Sequence, residues 1–197
     1  VEYPMPLIRQ TSVNEAVKLD FANGIRSMMR QDPDVILVGE IRDHDTAEMA
    51  FRAAMTGHQV YSTLHTNSAI GAIPRLLDLG VLPDIMAGNI IGVIAQRLLR
   101  RLCSRCKKSV AADTTTVQLL RHNKDTPAPM VYQAIGCGYC HGTGYKGRMA
   151  IMEILKMDAD LDELVARRAT GREMRKLAEE KGFHSLAEDG VRRVLSG

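Results

Sequence analysis

The chain has 197 residues, of which 45% are hydrophobic and 25% charged, and its formal net charge is +3. This is the composition of an ordinary soluble globular protein with one sizeable domain, alone or with a small appendage. The charge is too small to indicate nucleic-acid binding by itself. The longest apolar stretch, residues 85–95, is about half of what a bilayer span requires, so no membrane span is predicted.

Helix and strand patterns alternate through the first part of the chain. Apolar residues recur at helical spacing over residues 14–30, with Asn14 as N-cap, and the continuous apolar run 35–38 predicts a buried strand. Further elements are predicted in order: a helix over 45–55, a strand over 59–64, a helix over 67–79 and a helix from Pro83 to about Leu102. This alternation predicts an α/β sheet with a ligand crevice at the ends of its strands.

The character of the chain changes after residue 102. Residues 103–148 contain all four cysteines and many glycines. This predicts a loop-rich module that needs a cross-link, such as disulfides or a bound metal, in order to fold. Residues 149–197 are predicted to form a strand over 149–155 and then helices over 161–168, 171–180 and 184–195. We therefore expect three consecutive segments: 1–102, 103–148 and 149–197.

Four cysteines form two closely spaced pairs, Cys103-x2-Cys106 and Cys137-x2-Cys140. Each pair can chelate one ion, and four thiolates give the closed tetrahedral site of structural zinc. No export signal is visible, and in a reducing compartment such spacing indicates a metal rather than disulfides.

Other interpretations of the cysteine region remain open at this point. Cys137-Gly-Tyr-Cys140-His141 has the form of a c-type haem attachment site, although the second cysteine pair and the absence of an export signal argue against haem. His141 could replace one cysteine as a metal ligand, or the two pairs could be idle or redox-active.

Polar residues follow each of the two predicted buried strands. Glu40 ends the first strand, in the position where nucleotide hydrolases of the phosphate-loop class place a carboxylate to orient water and metal. His65 ends the second strand and could donate a hydrogen bond to a phosphate oxygen. The alternative interpretations are a solvated Glu at a strand end and a structural His.

Two sequence blocks resemble a known superfamily when they are taken together. The blocks are residues 30–43, RQDPDVILVGEIRD, and residues 56–67, TGHQVYSTLHTN. They are similar to the atypical Walker B motif and the His box of the type II/type IV secretion ATPases. Within that superfamily the paired CxxC motif resembles the extension ATPases, which drive type II secretion or type IV pilus assembly.

The resemblance implies a RecA-like ATPase core, part of a homohexameric ring that hydrolyses ATP with Mg²⁺ on the cytoplasmic side of the inner membrane. It implies that an inner-membrane platform protein is the partner and that nucleic acid is not. It also implies catalytic roles for Glu40, His65 and His58, nucleotide contacts from Arg42 and Asp43, and structural Zn²⁺ on the four cysteines.

One family motif is missing from the sequence. The phosphate loop of this superfamily has the form G-x-x-x-x-G-K-[ST], and no segment of the chain matches it. The family's acidic Asp box should precede Val1-Glu2-Tyr3. We therefore expect both motifs upstream, and we expect the chain alone to be inactive as an ATPase.

Six cations lie between residues 97 and 108: Arg97, Arg100, Arg101, Arg105, Lys107 and Lys108. A solvated face, a docking face for an acidic partner and the membrane surface are three interpretations of this stretch. Two other functions compete with the ATPase: a zinc-ribbon module that binds nucleic acid, and a structural fragment that never contacts nucleotide. The few aromatic residues near these charges argue against base stacking.

Overall fold

The computed structural model describes residues 3–123 and 126–197, in two compact units. The first unit contains the described residues up to Val93 together with Lys156–Ala178, and the second contains those of Ile94–Leu155 together with Glu179–Gly197. This division by contacts differs from the three consecutive segments expected from sequence, which stay a prediction. Val1 and Glu2, used to place the Asp box upstream, lie outside the described residues.

The first unit is built around a parallel pair of short strands. Its elements are α1 (Phe21–Met28), β1 (Val35–Leu37), α2 (His44–Met55), β2 (Gln59–Tyr61), α3 (Ala72–Asp78), α4 (Pro83–Met86), α6 (Ala159–Ala166) and most of α7 (Gly171–Glu180). β1 and β2 pair in parallel, with Ile36 opposite Val60. The predicted α/β arrangement with parallel strands is therefore confirmed. The prediction that the first strand is buried is wrong for one of its faces, because Val35 and Leu37 are 57% and 71% exposed.

The core of the first unit lies between its helices and the inner face of β1. Ile36, Ala47, Ile73 and Met86 are each at most 2% exposed. α1 packs on α2, and α4 packs on α6. The alanines of α2 are small, so neighbouring elements can approach this helix closely. Its apolar face packs against the core, and its opposite face is charged.

The predicted helix over 14–30 is broken near its middle. A short 3-10 turn covers Glu15–Val17, Lys18 has a left-handed φ of 56°, and α1 starts only at Phe21. Asp20 is the N-cap of α1, because its carboxylate accepts a hydrogen bond from Asn23 N–H at 2.7 Å. The predicted helix over 67–79 is also shorter and begins at Ala72.

The predicted helix from Pro83 to Leu102 is wrong over most of its length. α4 ends at Met86, and residues Gly92–Leu102 form a strand, β3. Gly88 has a left-handed φ of 77°, which ends the helix, and the β-branched run that follows favours an extended chain. Ile91 and Ile94 are exposed, so this stretch is not a buried helix.

The second unit contains two strand pairs and a helix. Its elements are most of β3, β4 (Lys108–Ala111), α5 (Thr114–Leu119), β5 (Met130–Gln133), most of β6 (Tyr145–Lys156) and α8 (Leu186–Ser196). β4 and β5 pair antiparallel, and β3 pairs with β6. The predicted strand over 149–155 and the three predicted C-terminal helices are confirmed, with shifted ends.

Two buried carboxylates attach α8 to β6 within this unit. Glu153 accepts a hydrogen bond from Leu186 N–H at 2.9 Å, and Asp189 accepts one from Met152 N–H at 3.0 Å. Both residues are 3% exposed. α8 also begins with a capping box between Ser185 and Glu188.

Candidate nucleotide site and candidate metal centre

The ends of β1 and β2 continue side by side beyond the strands themselves. Val38 N–H donates to the carbonyl of Tyr61 at 2.8 Å, and Ile41 N–H donates to the carbonyl of Thr63 at 3.0 Å. The hydroxyl of Thr63 adds a hydrogen bond to the carbonyl of Gly39 at 2.7 Å. Residues 39–42 and 63–65 are therefore held next to each other at one edge of the sheet.

Glu40 contacts two of the predicted site residues at this edge. Its Oε2 lies 3.1 Å from Nε2 of His65, and its Oε1 lies 2.5 Å from a guanidinium nitrogen of Arg42. The Glu40 side chain is 19% exposed, whereas those of Arg42 and His65 are largely exposed. The Glu40 carboxylate is thus held beyond the end of β1, where it contacts the more exposed guanidinium of Arg42 and imidazole of His65.

The electrostatics of this cluster keep the carboxyl of Glu40 ionised. The hydrogen bond from Arg42 lowers the pKa of Glu40 below its usual value; partial desolvation opposes this, and the contact with His65 adds to the lowering. An ionised carboxylate of this kind can accept a proton or orient a water molecule.

Asp43 and His58 lie in different local environments. The Asp43 carboxylate accepts a hydrogen bond from Thr46 N–H at 2.8 Å and so caps the N-terminus of α2. Nδ1 of His58 lies 3.0 Å from the carbonyl of Ala53 and 3.1 Å from the hydroxyl of Thr56, at the C-terminus of the same helix.

The predicted site residues therefore fall into two groups. Glu40, Arg42 and His65 are brought together, whereas Asp43 has a capping contact and His58 precedes β2, at the opposite end of that strand from His65. The catalytic role of His58 and the nucleotide contact of Asp43 stay predictions. The tie between Thr63 and Gly39 was not predicted, since nothing in the local sequence marks it.

The four cysteines meet in the second unit. Their Sγ atoms all lie within 4.8 Å of one another, and no disulfide joins them. The Sγ separations are 3.9 Å for Cys103 and Cys137, 3.8 Å for Cys106 and Cys140, and 3.8 Å for Cys137 and Cys140. A tetrahedral zinc ion with Zn–S bonds of about 2.3 Å places its sulfurs about 3.8 Å apart, so the four thiols fit that ion.

Backbone groups surround the sulfur of Cys140. The N–H groups of Cys137 and Gly144 each lie 3.2 Å from this sulfur. A Cβ on Gly144, whose φ is 75°, would lie 2.6 Å from the Cβ of Ala134, so only glycine fits there. The turn that contains Gly144 therefore lies against the cysteine cluster.

The environment divides the thiols by acidity. Burial raises the pKa of the Cys106 thiol to about 11. Burial also opposes ionisation of Cys140, but the N–H groups of Cys137 and Gly144 outweigh it and lower the pKa of Cys140 to about 6. Metal binding requires thiolates, so it would release protons from the thiols that are still protonated.

The tyrosine rings that contact the basic residues of 97–108 were not predicted from the sequence. Arg105 lies over the ring of Tyr139 and Arg100 over that of Tyr145. One signal in the sequence was available, because Arg105 and Tyr139 occupy the same position within their respective CxxC pairs.

Within residues 3–123 and 126–197, no helix combines the length and the apolar character needed to cross a membrane.

The chain is similar to known proteins along its whole length. Residues 1–197 match the family described as "Type II/IV secretion system protein". The chain is 47% identical to "Type II secretion system protein E" of Pseudomonas aeruginosa over 197 residues, which are 100% of this chain and 39% of that protein. It is 44% identical to "Type IV pilus assembly ATPase PilB" of Thermus thermophilus over 198 residues, 100% of this chain and 22% of that protein.

A solved structure shares the fold. The ATPase DotB of Legionella pneumophila matches with a TM-score of 0.56 at 23% identity, over 86% of this chain and 37% of that one. The chain thus spans 39% and 22% of the lengths of the two relatives named above. The family match and the two identities lead to one conclusion: this chain belongs to the type II/IV secretion system protein family.

Proposed function

We propose that this chain is the C-terminal part of a hexameric motor ATPase, with a RecA-like core, that couples ATP hydrolysis to protein secretion or pilus extension. The proposal is carried by the contact between Glu40 and His65 at the ends of two parallel strands. Supporting it, one relative is named "Type II secretion system ATPase E" and another "Type IV pilus assembly ATPase PilB".

In the proposed mechanism Glu40 acts on the attacking water. Its ionised carboxylate accepts a hydrogen bond from the water and orients it toward the γ-phosphate. His65, 3.1 Å from the same carboxylate, turns to donate a hydrogen bond to a phosphate oxygen. Bound Mg²⁺ would neutralise charge on the phosphate oxygens.

Arg42 has a second part in this proposal. Its side chain is more exposed than that of Glu40, and its guanidinium can exchange the carboxylate for a phosphate oxygen when nucleotide arrives. Nucleotide contact from Asp43 and a catalytic part for His58 remain in the proposal as predictions, although both side chains contact the ends of α2.

The metal centre and the setting complete the proposal. Zn²⁺ on Cys103, Cys106, Cys137 and Cys140 is structural, because four thiolates leave no open position for substrate. The motor is a homohexamer on the cytoplasmic side of the inner membrane, and it acts on a platform protein there. Since the sequence has no G-x-x-x-x-G-K-[ST] pattern, the 197-residue chain alone is inactive.

The test is Glu40→Gln in the protein that contains this chain together with a phosphate loop. We expect ATP binding to be retained and turnover to fall by about 100-fold or more, because general-base catalysis contributes about that much. Glu48→Gln is the matched control, since Glu48 is an exposed residue of α2 paired with Arg52. Turnover near the wild-type rate in Glu40→Gln would remove Glu40 from catalysis.

A further inference from the structure

The sequence around the cysteine cluster is strongly basic. Residues 97–148 contain ten Lys and Arg but only two Asp and no Glu, although the whole chain has a formal net charge of only +3. One of the two acids, Asp113, caps α5 by accepting a hydrogen bond from Thr116 N–H at 2.7 Å. The acidic residues of this segment therefore neutralise little of its positive charge.

Four of these cations lie over tyrosine rings. We call them the cationic row; the distances from cation to ring centroid are 4.1 Å for Arg100 and Tyr145, 4.0 Å for Arg105 and Tyr139, 3.5 Å for Lys146 and Tyr139, and 4.2 Å for Lys107 and Tyr132. A contact of this kind attracts a cation weakly to the ring at an exposed site. Each of the four cations therefore has a ring partner before any other molecule arrives.

The cysteine cluster organises the row. Arg105 lies between Cys103 and Cys106, whereas Tyr139 lies between Cys137 and Cys140, so their contact joins the two metal-binding pairs. Lys146 lies over the same ring and donates a hydrogen bond to the carbonyl of Tyr139 at 3.3 Å. We therefore expect loss of the ion to loosen the contacts of Arg105 and Lys146 with Tyr139.

The row carries no matching negative charge of its own. Within residues 3–123 and 126–197, no Asp or Glu forms an ion pair with any of its four cations, and Lys107 donates a hydrogen bond to an oxygen of the terminal residue Gly197 at 3.0 Å. Fixed positive charges without carboxylate partners form a surface that attracts and positions negative groups.

The geometry distinguishes between classes of partner. Single-stranded nucleic acid binds by stacking bases on open aromatic faces, but these tyrosine rings already carry cations. Polybasic lipid-binding segments attract a diffuse negative surface and do not require fixed positions. A fixed row suits carboxylates held at fixed spacing on a protein, which arginine can bind through two parallel hydrogen bonds.

We propose that the cationic row is a docking surface for an acidic segment of another protein, formed only while the four cysteines hold their ion. The site is separate from the proposed nucleotide chemistry and does not depend on it. In this proposal the metal centre has a second role besides stabilising the fold, which is to keep the positive charges close enough together to bind one partner.

The experiment uses the 197-residue chain loaded with Zn²⁺ and a fluorescein-labelled peptide of about twelve glutamates, followed by anisotropy at low salt. Arg100→Gln, Arg105→Gln and Lys146→Gln are combined in one variant. Its control combines Arg167→Gln, Arg168→Gln and Arg172→Gln, which remove equal charge from exposed positions in the first unit. We expect affinity to fall by about tenfold or more in the row variant and by less than about twofold in the control.

A second variant, Tyr139→Leu, removes the ring without changing charge. We expect it to keep its zinc and its circular dichroism spectrum and to bind the peptide several-fold more weakly, because Arg105 and Lys146 lose their common support. It also serves if the triple variant fails to fold.

Three results would overturn the proposal. They are no binding of the peptide by the wild-type chain, equal losses in the row variant and its control, and tighter row-dependent binding of a thymidine oligonucleotide or of phosphatidylglycerol vesicles than of the peptide. A chelator that removes zinc and leaves peptide affinity unchanged would contradict the dependence on the metal.

Discussion

The hydroxyl of Thr63 donates a 2.7 Å hydrogen bond to the carbonyl of Gly39, and this contact joins the chain segments that follow two parallel strands. Glu40 comes directly after Gly39, and His65 follows Thr63 by two residues. The side chains that meet at 3.1 Å are therefore positioned by backbone pairing and one hydroxyl, and their contact is exposed to solvent on the histidine side.

A first prediction concerns the charge state of Glu40. Its lowered pKa has the Arg42 hydrogen bond as its main cause, so Arg42→Gln should raise the pKa of Glu40 toward its ordinary value. The ionised state is then lost at a higher pH than in the wild-type chain as the solution is acidified. Carbon-detected NMR of the Glu40 carboxyl during a pH titration measures this directly on the 197-residue chain.

Arg52→Gln is the matched control for that titration. Arg52 pairs with Glu48 on α2 and has a similar exposure to Arg42. We expect it to leave the Glu40 titration unchanged. A Glu40 pKa that is the same in wild type and Arg42→Gln would show that the ion pair does not hold in solution.

The meeting of Glu40 and His65 was predictable, because the ends of adjacent parallel strands lie at the same edge of a sheet. The positions of Asp43 and His58 were not. Each lies at an end of α2, where unpaired backbone groups compete for a polar side chain, so local capping decides where it points. The spacing of a motif gives the order of such residues along the chain, but it does not show which backbone groups their side chains contact.

Secondary structure was predicted well over residues 149–197 and poorly where an apolar run was ambiguous. The apolar run after Pro83 satisfies both a buried helix and a strand, and length favoured the helix. The structure resolves this through Gly88 and the extended β3, whose partner β6 is distant in sequence. A strand that depends on a partner about fifty residues away leaves little local signal.

A second prediction concerns the cysteine cluster. Cys103→Ser combined with Cys137→Ser should abolish zinc binding and increase proteolytic cleavage within residues 103–148 by about tenfold or more, since structural zinc sites contribute folding energy outright. Zinc analysis and limited proteolysis followed by mass spectrometry measure the two effects. A chelator should reproduce both in the wild-type chain.

Ser104→Ala, between the first two cysteines, is the control for the cysteine variant and should change neither zinc content nor cleavage. The β1–β2 pair of the first unit should keep its hydrogen-exchange protection in every variant. Unchanged protease resistance of residues 103–148 after complete removal of zinc would contradict a structural metal.

A third prediction follows from Asp189. Its pKa is lowered mainly by the hydrogen bond from Arg192 and next by the N–H of Met152, and burial opposes the lowering. A depressed carboxyl pKa stabilises the folded state above the unfolded pKa, and this contribution is lost as pH falls through the folded value. Protection of α8 amides against hydrogen exchange should therefore decrease on acidification.

Asp189→Asn should lose this dependence and show low α8 protection already at neutral pH. Asp34→Asn, a change at an exposed aspartate of the first unit, should retain the wild-type profile. An α8 protection that is equally pH-dependent in Asp189→Asn would assign the acid sensitivity to another carboxyl.

A fourth prediction concerns the packing of α4 against the core of the first unit. Met86, its last residue, is 0% exposed, whereas Leu82 just before the helix is 57% exposed. Met86→Ala should lower the free energy of unfolding by about 2–5 kcal/mol, because it removes buried methylene groups and leaves a cavity. Leu82→Ala should change it by less than about 0.5 kcal/mol. Urea denaturation followed by circular dichroism compares the two variants, and similar effects from both would place Met86 at the surface.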